Sequence, residues 1–171
     1  MNLKIKTKTQ NRPLDLTIYT DGSCIENPGP GGYAFITQCN ETDRQREISV
    51  GFRYTTNNRM ELMAVIVALE RVQVDHSKIT VFSDSKYVVD GVNNWLGGWA
   101  SKRFAGIKNP DLWRRLHSVL KRHRVTLKWI KGHAGNEYNE MVDDLARQAA
   151  LGSSGVYIDF YSESKHRNKL I

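Results

Sequence analysis

An α/β fold, one mixed sheet of five strands flanked by helices, is predicted by three observations on this 171-residue chain. Three β-branched and aromatic runs come early, joined by short links, which is the pattern of an antiparallel meander. Two more such runs, over 79–83 and 125–130, alternate with helical periodicity. Each should therefore return to the sheet through a helical crossover and lie parallel to the first strand. Hydrophobic residues make up 40% and charged residues 25% of the chain, enough for one domain with a sizeable core.

The elements follow in order. Residues 1–13 form a basic arm with four Lys or Arg and no acid. A strand over 15–20 leads into the Gly- and Pro-rich segment 21–32, which reads as a turn. Strands over 33–39 and 46–54 are separated by a polar turn at 40–44. Thr55-Thr56-Asn57-Asn58 supplies N-cap residues for a helix to about residue 73. Leu62, Val65, Ile66 and Leu69 on one side, with Met60, Met63, Ala64 and Val67 on another, make that helix apolar nearly all round, hence buried. After the strand at 79–83 come a helix over about 86–95 and an irregular stretch over 96–108 containing Gly97, Gly98 and Gly106. A helix over 110–122 turns Leu112, Trp113, Leu116, Val119 and Leu120 inward. The strand at 125–130 precedes a glycine-flanked loop and a last helix over 137–151. The domain thus spans 14–151, and 152–171 is a polar tail in which 156–161 has the composition of a short strand.

The net charge is +7, and its placement is more telling than its size. Between Trp99 and Lys131 ten Lys or Arg stand against one acid, Asp111. A basic stretch beside an acidic centre suits a polyanion held next to a metal; the competing reading is a solvated helix face. No apolar run is long enough for a membrane span, and the N-terminus has no apolar signal region. Cys24 and Cys39 form no disulfide framework and no metal spacing, so both are expected to be free thiols in a reducing cytoplasm.

Four carboxylates sit where a mere surface charge is badly placed. Asp21 and Asp84 end strands, where sites form in sheets with parallel strands. Glu61 opens a buried helix, where an unpaired carboxylate is costly; a solvated first-turn glutamate is the alternative. On the last helix Asp143 falls near the inward flank, while Asp144 points outward with Arg147 and Gln148. Converging carboxylates repel one another unless a cation lies between them, which makes a hard-metal site, magnesium first, the leading expectation. His133, in Lys131-Gly132-His133-Ala134-Gly135, can titrate near neutrality and shuttle protons, or be an ordinary exposed histidine.

With these motifs in place, the chain resembles the bacterial type 1 ribonuclease H family. The matching stretches are Thr20-Asp21-Gly22-Ser23-Cys24, Asn27-Pro28-Gly29-Pro30-Gly31-Gly32, Thr55 to Leu62, Ser83-Asp84-Ser85, Lys108-Asn109 with Asp111-Leu112-Trp113, and Lys131 to Gly135 followed by Asp143. The resemblance implies a ribonuclease H-like fold and endonucleolytic hydrolysis of the RNA strand of an RNA–DNA hybrid. It implies two-metal-ion catalysis with magnesium, manganese being able to substitute, and products with 5′-phosphate and 3′-hydroxyl ends. Asp21, Glu61, Asp84 and Asp143 match the metal-binding acids, and His133 the loop histidine. Gly22, Ser23, Cys24, Asn27, Asn57 and Asn58 match residues that approach the minor groove, where the 2′-hydroxyl distinguishes RNA. Trp95 and Trp99 match aromatics packed on the DNA sugars, with core packing as the alternative for both, above all for Trp95 at a helix end. Thr56 and Asn109 match a DNA phosphate pocket, and Lys102, Arg103 and Lys108 a basic protrusion that is longer in the family. Tyr54 stands where relatives often carry arginine, Lys86 where they carry glutamine, and Glu26 where they carry glycine. The partner is expected to be the hybrid alone, bound by a monomer. Two other readings compete: a related nuclease of the same fold, such as a reverse-transcriptase domain or an integrase-like enzyme, and a non-catalytic hybrid-binding module.

Overall fold

The computed structural model describes residues 12–152 and 157–168; most of the basic arm therefore lies outside the described residues. One five-stranded sheet has the order β3-β2-β1-β4-β5. Its strands are β1 (Asp15–Cys24), β2 (Gly29–Cys39), β3 (Gln45–Thr55), β4 (Lys78–Ser83) and β5 (Arg124–Trp129). The first three are antiparallel neighbours, and β4 and β5 run parallel to β1, as expected. The helices are α1 (Asn57–Glu70), α2 (Lys86–Asp90), α3 (Leu96–Ser101), α4 (Pro110–Leu120), α5 (Glu137–Gly152) and α6 (Phe160–Arg167). Among the described residues, no helix is long and apolar enough to cross a membrane.

Burial explains the layering. Helix α1 packs on β1 and β2 and is covered by α4. This accounts for its all-round apolar sequence: Met60, Leu62, Ala64, Val65, Ile66 and Leu69 are essentially inaccessible. Helix α5 covers the opposite face, where Val142 and Ala146 meet Ala34 and Ile36. Alternation along β1 sends Leu16, Ile18 and Thr20 toward α1 and Tyr19 and Asp21 toward α5.

Three local expectations are corrected. The segment 21–32 is mostly strand: β1 runs on to Cys24 and β2 starts at Gly29, with Asp21 paired to Ala34 and Ser23 to Gly32. Its glycines serve close approach rather than turning. A Cβ on Gly22 would stand 2.2 Å from the backbone N of Glu61, and one on Gly32 2.6 Å from the carbonyl of Ala146. The irregular stretch over 96–108 begins as helix, because α2 continues through a wider π turn at Gly91–Trp95 into α3. Gly91 is needed at that turn, since a Cβ there would meet the Trp113 ring at 2.2 Å. Within 156–161, residue 156 lies outside the described residues; among the described ones Tyr157 makes an isolated bridge to Phe52, and Phe160 already begins α6. Asp159 decides this: its side chain accepts from the Ser162 N–H and caps the helix.

Candidate active site

The sheet opens where pairing of its parallel strands stops. Thr20 pairs with Ser83, and Ser83 with Trp129; the next residues along β1 and after β4 are Asp21 and Asp84. Both acids therefore face a crevice that no strand fills. The absent side chain of Gly22 lets the first turns of α1 lie against β1 and brings Glu61 to the same place. Asp21, Glu61 and Asp84 each offer an oxygen within 4.8 Å of the others. Asp143 comes from α5, where its negative charge acts on Asp21; Asp144 is exposed.

The electrostatics fit a cation. Burial, then the negative charges of Asp84 and Asp143, push the Asp21 carboxyl up to about 8. Burial, followed by Asp21 and Asp84, holds the Glu61 carboxyl well above its ordinary range. Glu61 is 6% exposed, and among the described residues its Oε2 has no hydrogen-bond partner. A buried carboxylate oxygen without a donor, facing two further acids, is suited to a divalent cation bound by hard oxygen ligands. The donor set is all carboxylate, which suits a hard cation over softer metals.

Neighbouring groups fix Asp84. The Asn139 amide donates to its Oδ2 at 3.4 Å, and the Trp129 indole donates to its backbone carbonyl at 3.0 Å. A Cβ on Gly132 would come within 2.7 Å of Oδ2. Sequence reading missed Asn139, although it precedes Asp143 by four residues and so shares its face of α5; that spacing was the available signal. His133 lies in the loop between β5 and α5 with φ 52°, 3.9 Å from Asp143 Oδ2 through Nδ1, and its side chain is 80% exposed.

The expected substrate residues spread along one rim. Asn27 accepts from the Asn57 N–H at 3.0 Å, which ties the β1–β2 turn to the start of α1. Thr56 caps α1, and Asn58 follows on its first turn. Cys24 is half-buried under the turn, its thiol 3.5 Å from the carbonyls of Gly29 and Thr55; Gly22 is buried and Ser23 half-buried. Trp95 is 47% exposed, so the core-packing alternative does not hold for it. It packs on Trp99, which in turn meets the buried Trp113 edge-on. Lys86 is exposed beside Asp84, with its ammonium over the Trp129 ring. Lys102, Arg103 and Lys108 are exposed, whereas Arg115 and Arg122 of the same basic stretch pair with Glu70 and Asp75. Asn109 takes a left-handed conformation, accepts from Arg59 and donates to the Tyr87 hydroxyl.

Arg59 and Asp159 were also missed. Arg59 is 4% exposed, and its guanidinium makes two-pronged bonds to Asp111 and to Asp159. An arginine two residues before Glu61 on an otherwise apolar helix was the signal.

Comparison with known proteins places this geometry. The family described as RNase H matches residues 13–151. A ribonuclease H of Shewanella halifaxensis is 49% identical over 140 residues, 79% of this chain and 85% of the relative. One of Pseudoalteromonas translucida is 49% identical over 138 residues, 78% and 88% of the two chains. Among solved structures, LC9-RNase H1, a type 1 RNase H with the type 2 active-site motif, superimposes with TM-score 0.75 at 30% identity, covering 89% of this chain and 81% of that one. LC11-RNase H1 in complex with an RNA/DNA hybrid shares the fold at TM-score 0.63 and 23% identity, covering 81% and 99%.

Proposed function

The chain belongs to the ribonuclease H family, and we infer that it is an endoribonuclease that hydrolyses the RNA strand of RNA–DNA hybrids. The observation that carries the reading is the convergence of Asp21, Glu61 and Asp84 around a buried carboxylate oxygen with no donor among the described residues. Four acids at one point serve chemistry; binding alone does not require them. Asp21, Glu61, Asp84 and Asp143 would hold magnesium, two ions in the complex with substrate and manganese as a substitute. When bound, the metal supplies positive charge against the scissile phosphate and lowers the pKa of the attacking water.

The rest of the work falls to the chain's own groups. Asp21, which feels the charges of Asp84 and Asp143 and whose own charge acts on Glu61, would be a central ligand to the bound metal. Asn139 and Trp129 hold Asp84 in one orientation. His133 Nδ1 stands beside Asp143 to move a proton between the crevice and solvent. Asn27, Asn57 and Asn58, with the end of β1, read 2′-hydroxyls in the minor groove. Trp95 and Trp99 pack on the DNA sugars, Thr56 and Asn109 hold a DNA phosphate, and Lys86, Lys102, Arg103 and Lys108 add salt-sensitive attraction. The products carry 5′-phosphate and 3′-hydroxyl ends. The enzyme acts as a monomer in the cytoplasm.

Cleavage assays with magnesium on hybrid, duplex RNA, duplex DNA and single-stranded RNA test this reading. Cutting should be confined to the RNA of the hybrid; equal cutting of duplex RNA, or none of the hybrid, would overturn it. His133→Ala should retain the fold and lower kcat by roughly ten- to a thousandfold, around the usual size of acid–base assistance. Single-turnover rates measure this, and a total loss would make the histidine indispensable.

A further inference from the structure

We propose that Lys165 and His166 of α6 form one wall of a pocket for a backbone phosphate of the bound nucleic acid, which makes the C-terminal helix part of the substrate surface. The inference rests on the hybrid-cleaving reading above. A cleft of about 490 Å3 lies between the start of α1, the Lys108–Asn109 pair and α6. Among the described residues, none that lines it carries a carboxylate. Thr56 and Asn58 bring a hydroxyl and an amide to one side, and Lys165 and His166 face them from α6.

Charge decides what the cleft can hold. Arg59 also borders it, but its guanidinium is committed to Asp111 and Asp159. Anion attraction therefore falls to Lys108 and Lys165, neither of which has a carboxylate partner among the described residues. Two such ammonium groups beside neutral donors suit a phosphodiester. His166 adds a donor without needing a charge. Its Nδ1 pairs with the Tyr54 hydroxyl at 3.0 Å. When that hydroxyl donates, the neutral ring carries its proton on Nε2, away from Tyr54.

The wall is built in advance. Three consecutive residues at the end of β3 grip α6. Arg53 makes two bonds to Glu163 at 2.7 and 2.6 Å, the Tyr54 ring packs at a tilt on His166 with centroids 4.6 Å apart, and Thr55 donates to Asp159 at 2.7 Å. Lys165 lies 4.4 Å from the Tyr161 ring centroid, a cation–π contact that orders its long side chain. Groups already ordered lose less entropy on binding.

The test uses the full chain with Lys165→Gln, His166→Phe and the double variant; phenylalanine keeps the ring packing on Tyr54. Hybrid affinity is measured in calcium, to suppress cutting, across a salt series and on hybrids with single neutral methylphosphonates placed along the DNA strand or the RNA strand. The double variant should bind on the order of tenfold more weakly, with a salt slope shallower by about one for each phosphate it no longer neutralises. Its kcat should stay within about twofold of wild type, since the metal-binding acids sit elsewhere. One methylphosphonate position on the DNA strand should weaken wild type and leave the double variant indifferent; sensitivity confined to the RNA strand would overturn the assignment of this cleft to the DNA phosphate at Thr56 and Asn109. Unchanged affinity, slope and methylphosphonate profile would show that α6 is only a strap on the fold. Thermal melting reports folding, and Lys165→Gln, at an exposed position off the Tyr54 ring contact, gives the same answer if His166→Phe is unstable. A wild-type protein that cuts no hybrid would overturn the underlying reading instead, while the binding series still reports on the pocket.

Discussion

Asp21→Asn is expected to reduce hybrid cleavage to background while leaving the fold intact and raising the melting temperature of the metal-free protein. Asparagine retains the oxygen that accepts from the Gly22 N–H at 2.8 Å, so the end of β1 is undisturbed. It removes a carboxyl that, when no metal is present, must either take up a proton or carry charge beside other buried acids. The wild-type protein should show the same physics as a pH dependence. Its Asp21 carboxyl is raised from 3.8 to about 8 by burial and by Asp84 and Asp143. Between those values the folded state holds a proton that the unfolded chain releases, so metal-free stability falls as pH rises from about 4 to about 8. The variant should show a shallower fall, and magnesium should restore wild-type stability at the alkaline end. Melting curves in chelator and in magnesium, with initial rates on hybrid, measure all three. Near-wild-type turnover by Asp21→Asn would sink the site assignment.

The largest loss of stability is expected from Arg59→Ala. Its guanidinium joins α1 to Asp111 at the start of α4 and to Asp159 at the start of α6. Removing it leaves Asp159, 7% exposed, without its cation. Breaking a buried pair from one side costs about 3–5 kcal/mol. Burial alone would raise the Asp111 carboxyl, but the Arg59 hydrogen bonds and charge outweigh it and hold it low. That contribution is present above the ordinary aspartate range and disappears as pH falls through the depressed value, so the variant should lose less stability on acidification than wild type. Urea unfolding at neutral and acidic pH checks both points. A change within about 1 kcal/mol would place the network among ion pairs of little consequence.

The strand and helix order was legible because each element carries its own period. The alternation of β3, the all-round apolar α1 and the one-sided α5 each have one stable solution. The acids were legible for a related reason: Glu61 contradicts the helix around it, and Asp21 and Asp84 follow runs that can only be strands. The segment 21–32 was misread because glycine has two uses. Its lack of a Cβ permits turns, and it also permits a helix backbone to lie against a strand, as α1 does at Gly22 and α5 at Gly32. Composition cannot separate the two, since the difference lies in what packs above. Asn139 looked like any polar helix residue until α5 was placed over Asp84.

By itself, then, the sequence determined the sheet and the crossovers, and singled out Asp21, Glu61 and Asp84, which converge; these are properties of local pattern and of residues out of keeping with their surroundings. The tertiary structure decided the distances. It ended the β1–β4 pairing at Thr20 and Ser83, so that the next two residues share one crevice. It brought Arg59 between Asp111 and Asp159, and it laid α6 along β3 so that Lys165 and His166 face Thr56 and Asn58. Those contacts join residues from 52 to 112 positions apart. No local period encodes such a pairing; it exists only once the core has packed and fixed which surfaces meet.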